Sequence, residues 1–224
     1  MKKRLKINGF IIFLNVVALA VFPKVFLRQL PKEDIWNQIA EIMGICFILA
    51  GQIIRVSARG FKSEQSNNGR DLVQGGPYSL VRNPMYLGIL LIGIGVVLML
   101  FNWWVVGIFT SVFVIRYAML TFNEEAKLRA LFSDRYKDYC NRVPRLIPLP
   151  TRIFSKDIAE YLPIKLAWFY REIGSIATLL FVVLFIKSWK DLGIEGLAVI
   201  LVVIVIFVLL VLWLDKRTPK VKNP

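Results

Sequence analysis

The chain has 224 residues, 57% of them hydrophobic, a mean hydropathy of +0.60, and a net charge of +14 from 29 Lys plus Arg against 15 Asp plus Glu. So many long apolar runs exclude an ordinary soluble domain. The absence of histidine removes the commonest general base and metal ligand, and excludes Ser-His-Asp catalysis and histidine-bound zinc.

In chain order, six apolar runs predict an all-α, polytopic transmembrane bundle: 7–22, 35–54, 85–101, 103–122, 173–186 and 194–214. The first and fifth are short for full spans. The N-terminus, Met1-Lys2-Lys3-Arg4-Leu5-Lys6 before an apolar run, also has the layout of a signal peptide, with Ala18-Leu19-Ala20 as its cleavage site. The apolar run continues past that point, which favours a retained helix. With six spans and a cytoplasmic N-terminus, 23 of the Lys and Arg residues fall in cytoplasmic segments and 5 in external ones, with Arg116 inside the fourth span. That asymmetry follows the positive-inside rule. The basic charge thus sets topology and meets anionic headgroups, and nucleic acid is not a partner the pattern calls for. Both termini are expected in the cytoplasm, in a bacterial-type inner membrane or the endoplasmic reticulum.

Between the second and third spans, residues 55–83 read as a cytoplasmic connection with a polar, turn-rich middle at 62–71. It ends in Gly75-Gly76-Pro77-Tyr78-Ser79-Leu80-Val81-Arg82-Asn83-Pro84-Met85-Tyr86-Leu87-Gly88. Pro84 suits the first turn of the third span. Gly88 and Gly95 lie seven residues apart on nearly one face, where another helix or a ligand can come close. Asn102 makes the turn into the fourth span. Residues 123–142 read as a separate cytoplasmic amphipathic helix, with Leu128, Phe132, Tyr136 and Tyr139 on one stripe. Thr121-Phe122-Asn123-Glu124 has the form of a capping box at its start. Residues 151–171, basic with Tyr161, Trp168 and Tyr170, are expected along the membrane interface. Cys46 and Cys140 are placed neither for a disulfide nor for a metal.

The out-and-back hairpin of spans three and four returns Glu124 and Glu125 to the face that holds Arg82. Glu124 is either a residue of the cap, which explains it fully, or a functional carboxylate. Glu125 falls on the apolar stripe, where a carboxylate needs a partner or a task. Arg82 either holds the helix end at the headgroups or pairs with a carboxylate. Tyr78 and Tyr86 are interfacial aromatics or close over a ligand. Arg116 either snorkels outward or lines a polar pocket.

The ordered set Gly76-Pro77-Tyr78, Arg82-Asn83-Pro84-Met85-Tyr86-Leu87-Gly88, Glu124-Glu125, Leu128, Phe132, Tyr136, Tyr139 and Val143-Pro144-Arg145 resembles the integral-membrane methyltransferases typified by isoprenylcysteine carboxyl methyltransferase, with phospholipid N-methyltransferases as relatives. The resemblance covers residues 70–148 and divides the chain into N-terminal spans and loop (1–69), a cofactor-binding core (70–148) and a C-terminal extension (149–224). It implies S-adenosylmethionine as cofactor and a lipophilic acceptor, such as an isoprenylcysteine-like carboxylate or another small lipid or thiol, entering from the bilayer. No metal is implied. Carried over by motif, the cofactor site comprises Tyr78, Arg82, Asn83, Tyr86, Gly88, Glu124, Glu125 and Arg145, with Arg82 and Glu125 the catalytic pair. The family histidine is Asn83 here, which donates a hydrogen bond but is never charged. Typical members end soon after the Pro-Arg, whereas this chain continues to residue 224. Two other readings stand beside this one: an NADPH-dependent sterol or isoprenoid reductase sharing the Arg-x-Pro-x-Tyr turn, and a non-catalytic lipid-binding or scaffold protein.

Overall fold

The Asp34 side chain accepts hydrogen bonds from the backbone N–H groups of Trp36 (2.9 Å) and Asn37 (3.1 Å), and this cap starts the first long helix. The computed structural model describes residues 21–29, 31, 33–66, 71–149, 158–192 and 206. Its elements are α1 (Pro23–Phe26), α2 (Ile35–Gln65), α3 (Pro77–Leu80), α4 (Pro84–Leu100), α5 (Trp103–Arg142), α6 (Ile158–Tyr161) and α7 (Leu166–Leu192). The described residues are helical apart from turns and one isolated β-bridge between Leu27 and Phe101. Three described helices are long and apolar enough to cross a membrane: Ile35–Gln65, Trp103–Arg142 and Leu166–Ser188. The 17-residue α4 is shorter but equally apolar. The fifth run, short in the sequence, is thus embedded in a 27-residue helix. The first and sixth runs, apart from residues 21, 22 and 206, lie outside the described residues.

Two expectations about the elements are corrected. The second run does not end at 54: α2 has 31 residues and continues as helix through most of the stretch read as connection. Residues 55–65 contain no proline, and tertiary partners hold them, as shown below. Nor does a separate helix begin at 123. The fourth run continues as helix up to Ser133, so Thr121–Glu124 lies mid-helix and forms no cap. The break comes later, at Ser133, whose φ of 41° and ψ of −116° depart from helical geometry.

Glycines set the closest packing in the bundle. A β-carbon on Gly51 would lie 2.6 Å from the Gly88 carbonyl oxygen, and one on Gly44 would lie 2.7 Å from that of Gly95. α2 and α4 therefore run antiparallel with their backbones touching at two points, seven residues apart on each helix. A second face of α2 carries α7 in a different way. Glu64 meets Lys165 (2.6 Å) and Trp168 (2.8 Å), Glu172 meets Arg59 (2.6 Å) and Arg55 (3.1 Å), and Glu41 meets Lys187 (2.6 Å). The α7 partner's number rises as the α2 partner's falls, which is the register of an antiparallel helix pair. Met99, Leu100 and Val183 form the apolar core where α4 meets α7.

At the Asn102 end, Asn102 donates its side-chain amide to the carbonyls of Val25 (2.8 Å) and Leu27 (3.3 Å) rather than capping α5. The other end, where α4 begins, carries the candidate site.

Candidate active site at the Pro84 end

Gly76 has φ +54° and ψ −131°, a conformation open to glycine and strained for other residues. That turn lets Pro77 begin α3 and buries Tyr78, which is 8% exposed. The Tyr78 carbonyl accepts from the Tyr139 hydroxyl at 2.6 Å, tying α3 to the far end of α5. The chain then extends through Val81, and the Arg82 N–H donates to the Pro144 carbonyl at 2.8 Å. Next to it, Asn83 Nδ2 donates to the Arg145 carbonyl at 3.3 Å. These two bonds pin the turn before α4 to the segment after α5, which brings Arg145 to the site.

Glu125 is the centre of the charge cluster, only 4% exposed. Arg145 grips it with two donors, Nε to Oε1 at 3.0 Å and Nη2 to Oε2 at 2.9 Å. Arg82 Nη1 donates to Oε1 at 3.1 Å. Arg129, one helical turn on, brings its Nη2 to 3.9 Å from Oε2. A carboxylate at this depth needs such partners, because its burial is costly when unpaired. Pairing with Glu125 pushes the Arg145 guanidinium's affinity for its proton still higher. The Arg145 guanidinium also lies 4.6 Å over the Phe122 ring. Arg82 Nη1 reaches Cys140 Sγ as well, at 3.0 Å. Glu124 faces a different partner: the Tyr86 hydroxyl donates to its Oε1 at 2.6 Å.

These groups surround a cavity of about 180 Å³ that opens to solvent. Its polar wall is Tyr78, Arg82, Asn83, Tyr86, Glu124 and Glu125. Leu128 and Phe132 on α5 give an apolar wall, and Lys62 of α2 and Ser66, just past its end, also line the cavity. Two buried groups of residues that line the cavity have no hydrogen-bond partner among the described residues: the Tyr78 hydroxyl and Arg82 Nε. Burial, with a smaller contribution from the Glu124 carboxylate, pushes the Tyr78 phenol above its ordinary value, so it stands as a neutral hydroxyl. Unpaired polar groups at such depth cost stability unless something completes them.

Of the sequence-selected residues, the structure brings Tyr78, Arg82, Asn83, Tyr86, Glu124, Glu125 and Arg145 together. Gly88 sits elsewhere, in the seam with Gly51, and does not line the cavity. Arg116 is exposed and is not among the lining residues. Sequence reasoning missed Arg129, although its i,i+4 spacing from Glu125 was the available signal. It also missed Lys62 and Ser66, which were read as loop. Trp168 is buried at 2% exposure rather than interfacial. Among the described residues no group of His, Cys, Asp and Glu side chains is arranged to hold a metal ion.

Residues 39–135, which include most of α2, all of α4 and most of α5, match the phospholipid methyltransferase family. Over 111 residues the chain is 32% identical to the protein-S-isoprenylcysteine O-methyltransferase of Schizosaccharomyces pombe, a match covering 46% of this chain and 47% of that relative. The chain thus spans about half the length of the curated relative it matches. No solved structure matches it. The family match spans the motif residues from Tyr78 to Phe132, and both matches are to proteins of the kind that the motif set resembles.

Proposed function

We propose that the protein is a membrane methyltransferase that uses S-adenosylmethionine and methylates a lipophilic acceptor. The observation that carries this reading is the pair of unpartnered buried donors, the Tyr78 hydroxyl and Arg82 Nε, on the wall of a cavity that also presents the Glu124 carboxylate. The methyl donor's amino-acid end carries a carboxylate and an ammonium. The two free donors suit the first and Glu124 suits the second. Bound S-adenosylmethionine supplies a methyl group already activated by its sulfonium.

The chain's own residues then have separable tasks. Glu125 is fully engaged by arginines and is not a proton acceptor in this arrangement. It fixes the Arg82 guanidinium so that Nε remains directed at a ligand. Tyr86 orients Glu124. Asn83, committed to the Arg145 carbonyl, acts through Arg145 rather than as a stand-in for a charged histidine. Leu128 and Phe132 keep water from the apolar wall, and a desolvated, aligned site can supply much of the catalysis of an in-line displacement. With Glu125 committed and no histidine present, an acceptor that arrives deprotonated, such as a carboxylate, suits the site best. By the charge asymmetry of the sequence, this end of the bundle faces the cytoplasm.

The test is transfer of labelled methyl from S-adenosylmethionine to material extracted into organic solvent. A prenylated cysteine analogue, phosphatidylethanolamine vesicles and a long-chain carboxylate serve as acceptors. The expected result is base-labile label on a carboxylate acceptor, abolished by Arg82→Ala. Label on the phosphatidylethanolamine amine alone would overturn the acceptor class. No transfer to any acceptor by folded protein would overturn the activity.

A further inference from the structure

The segment of α2 from residue 55 on reads in the sequence as a connection, with its loop at 62–71. In the structure it is helix, and three consecutive residues face three different ways. A methyl on Gly60 would fall inside the Trp168 indole. Phe61 packs under the Gly76 turn, where a β-carbon on Gly76 would lie 2.9 Å from its ring. Lys62 lines the cavity. One helical turn therefore connects Trp168 of α7 to the turn that carries Tyr78 and to the cavity wall.

The outer face of this turn is held at several points by the C-terminal extension. Trp168 Nε1 donates to Glu64 Oε1 at 2.8 Å, and Lys165 holds the other oxygen at 2.6 Å. The Ser57 hydroxyl, fully buried, donates to the Pro163 carbonyl at 2.6 Å. Glu172, 4% exposed, takes Arg59 and Arg55, and Arg55 also donates to Ser175 at 3.0 Å. All the partners on α7 and before it lie beyond residue 135, where the family match ends.

We propose that Trp168 is a positioning residue for the cavity, and that the C-terminal extension serves as its outer brace. Trp168 fills the gap at Gly60 and sets the α2 end so that Phe61 supports the Tyr78 turn while Lys62 and Ser66 close the wall. This proposal rests on the methyl-donor reading for its ligand, but not for its mechanics.

Two variants approach the contact from opposite sides. Trp168→Phe keeps an aromatic ring but removes the donor to Glu64, and Gly60→Ala pushes on the indole. Each is examined in the full-length, detergent-solubilised protein by amide hydrogen exchange without ligand and by an S-adenosylmethionine isotherm. Exchange is expected to quicken at 60–66 and 76–78 but not at the Gly44–Gly95 seam. The dissociation constant is expected to rise about fivefold, with kcat little changed, as for a lost hydrogen bond felt through a wall rather than at the reacting atoms. Unchanged exchange at 60–66 and 76–78 would overturn the proposal. So would quickened exchange with an unchanged dissociation constant. Wild-type protein that binds no S-adenosylmethionine, with the variants still showing the expected exchange pattern, would sink the parent reading and support the brace.

Discussion

The two sides of α2 solve the same packing problem in opposite ways. Toward α4 the helix removes side chains, and Gly44 and Gly51 let the backbones touch. Toward α7 it keeps long charged side chains and pairs them, from Glu41 with Lys187 to Glu64 with Lys165. The first side has no slack, since nothing larger than hydrogen fits. The second has several ties, each of them individually replaceable. The difference matters for the site, because the glycine side sets the start of α4, with its Arg82–Tyr86 turn, while the charged side only braces the wall around it.

Gly51→Leu should break this comparison hardest. Its side chain would drive into the Gly88 carbonyl, and α4 cannot retreat without displacing the turn. The expected cost is about 3 kcal/mol or more, the upper range for overpacking, seen as a collapse of the thermal midpoint in detergent. A drop of only a degree or two would show that the seam has slack. Glu172→Ala should cost less, about 2 kcal/mol. That is below the usual loss for a broken buried pair, because Arg59 is 61% exposed on its side chain and can turn to solvent. Glu172→Gln should recover part of the loss, and equal losses in both would mean that packing rather than charge holds the pair. Lys187→Ala should be the mildest at under about 1 kcal/mol, as for partly exposed pairs, because both partners remain accessible at 34% and 27%. A larger effect there would mean that the ladder acts as one unit, which a double-mutant cycle with Glu172 would reveal.

The glycine side was half legible in the sequence. The spacing of Gly88 and Gly95 marked a close approach, and only the identity of the approaching helix was missing. The same spacing misdirected Gly88 toward the cofactor, since a small residue beside a motif is equally compatible with a ligand and a helix. The charged side was not legible. Its partners are a hundred residues or more apart, and no local period links Glu64 to Trp168 or Arg55 to Glu172. Without that brace in view, residues 55–65 had the polarity of a connection and no visible reason to stay helical. At the site, the hairpin alone brought Arg82 and Glu125 to one face, but whether Arg82 pairs with a carboxylate or only holds the helix end stayed open. The cap at Thr121–Glu124 could not be judged from composition, because the same four residues suit a helix start and a helix interior. The Ser133 break carried no sequence signal, neither Gly nor Pro being present there.

The central claim is that the cavity around Tyr78, Arg82 and Glu124 is a methyl-donor site. It is tested most directly by calorimetric titration of the solubilised protein with S-adenosylmethionine, alongside NADPH and an Arg82→Lys variant. The variant keeps the charge but lacks the Nε donor and the planar fork. Saturable one-to-one binding of S-adenosylmethionine is expected, weakened roughly tenfold or more in the variant, the scale for a lost charge-assisted hydrogen bond, with no binding of NADPH. Saturable binding of NADPH in place of the methyl donor, or methyl-donor binding that Arg82→Lys leaves untouched, would contradict the account.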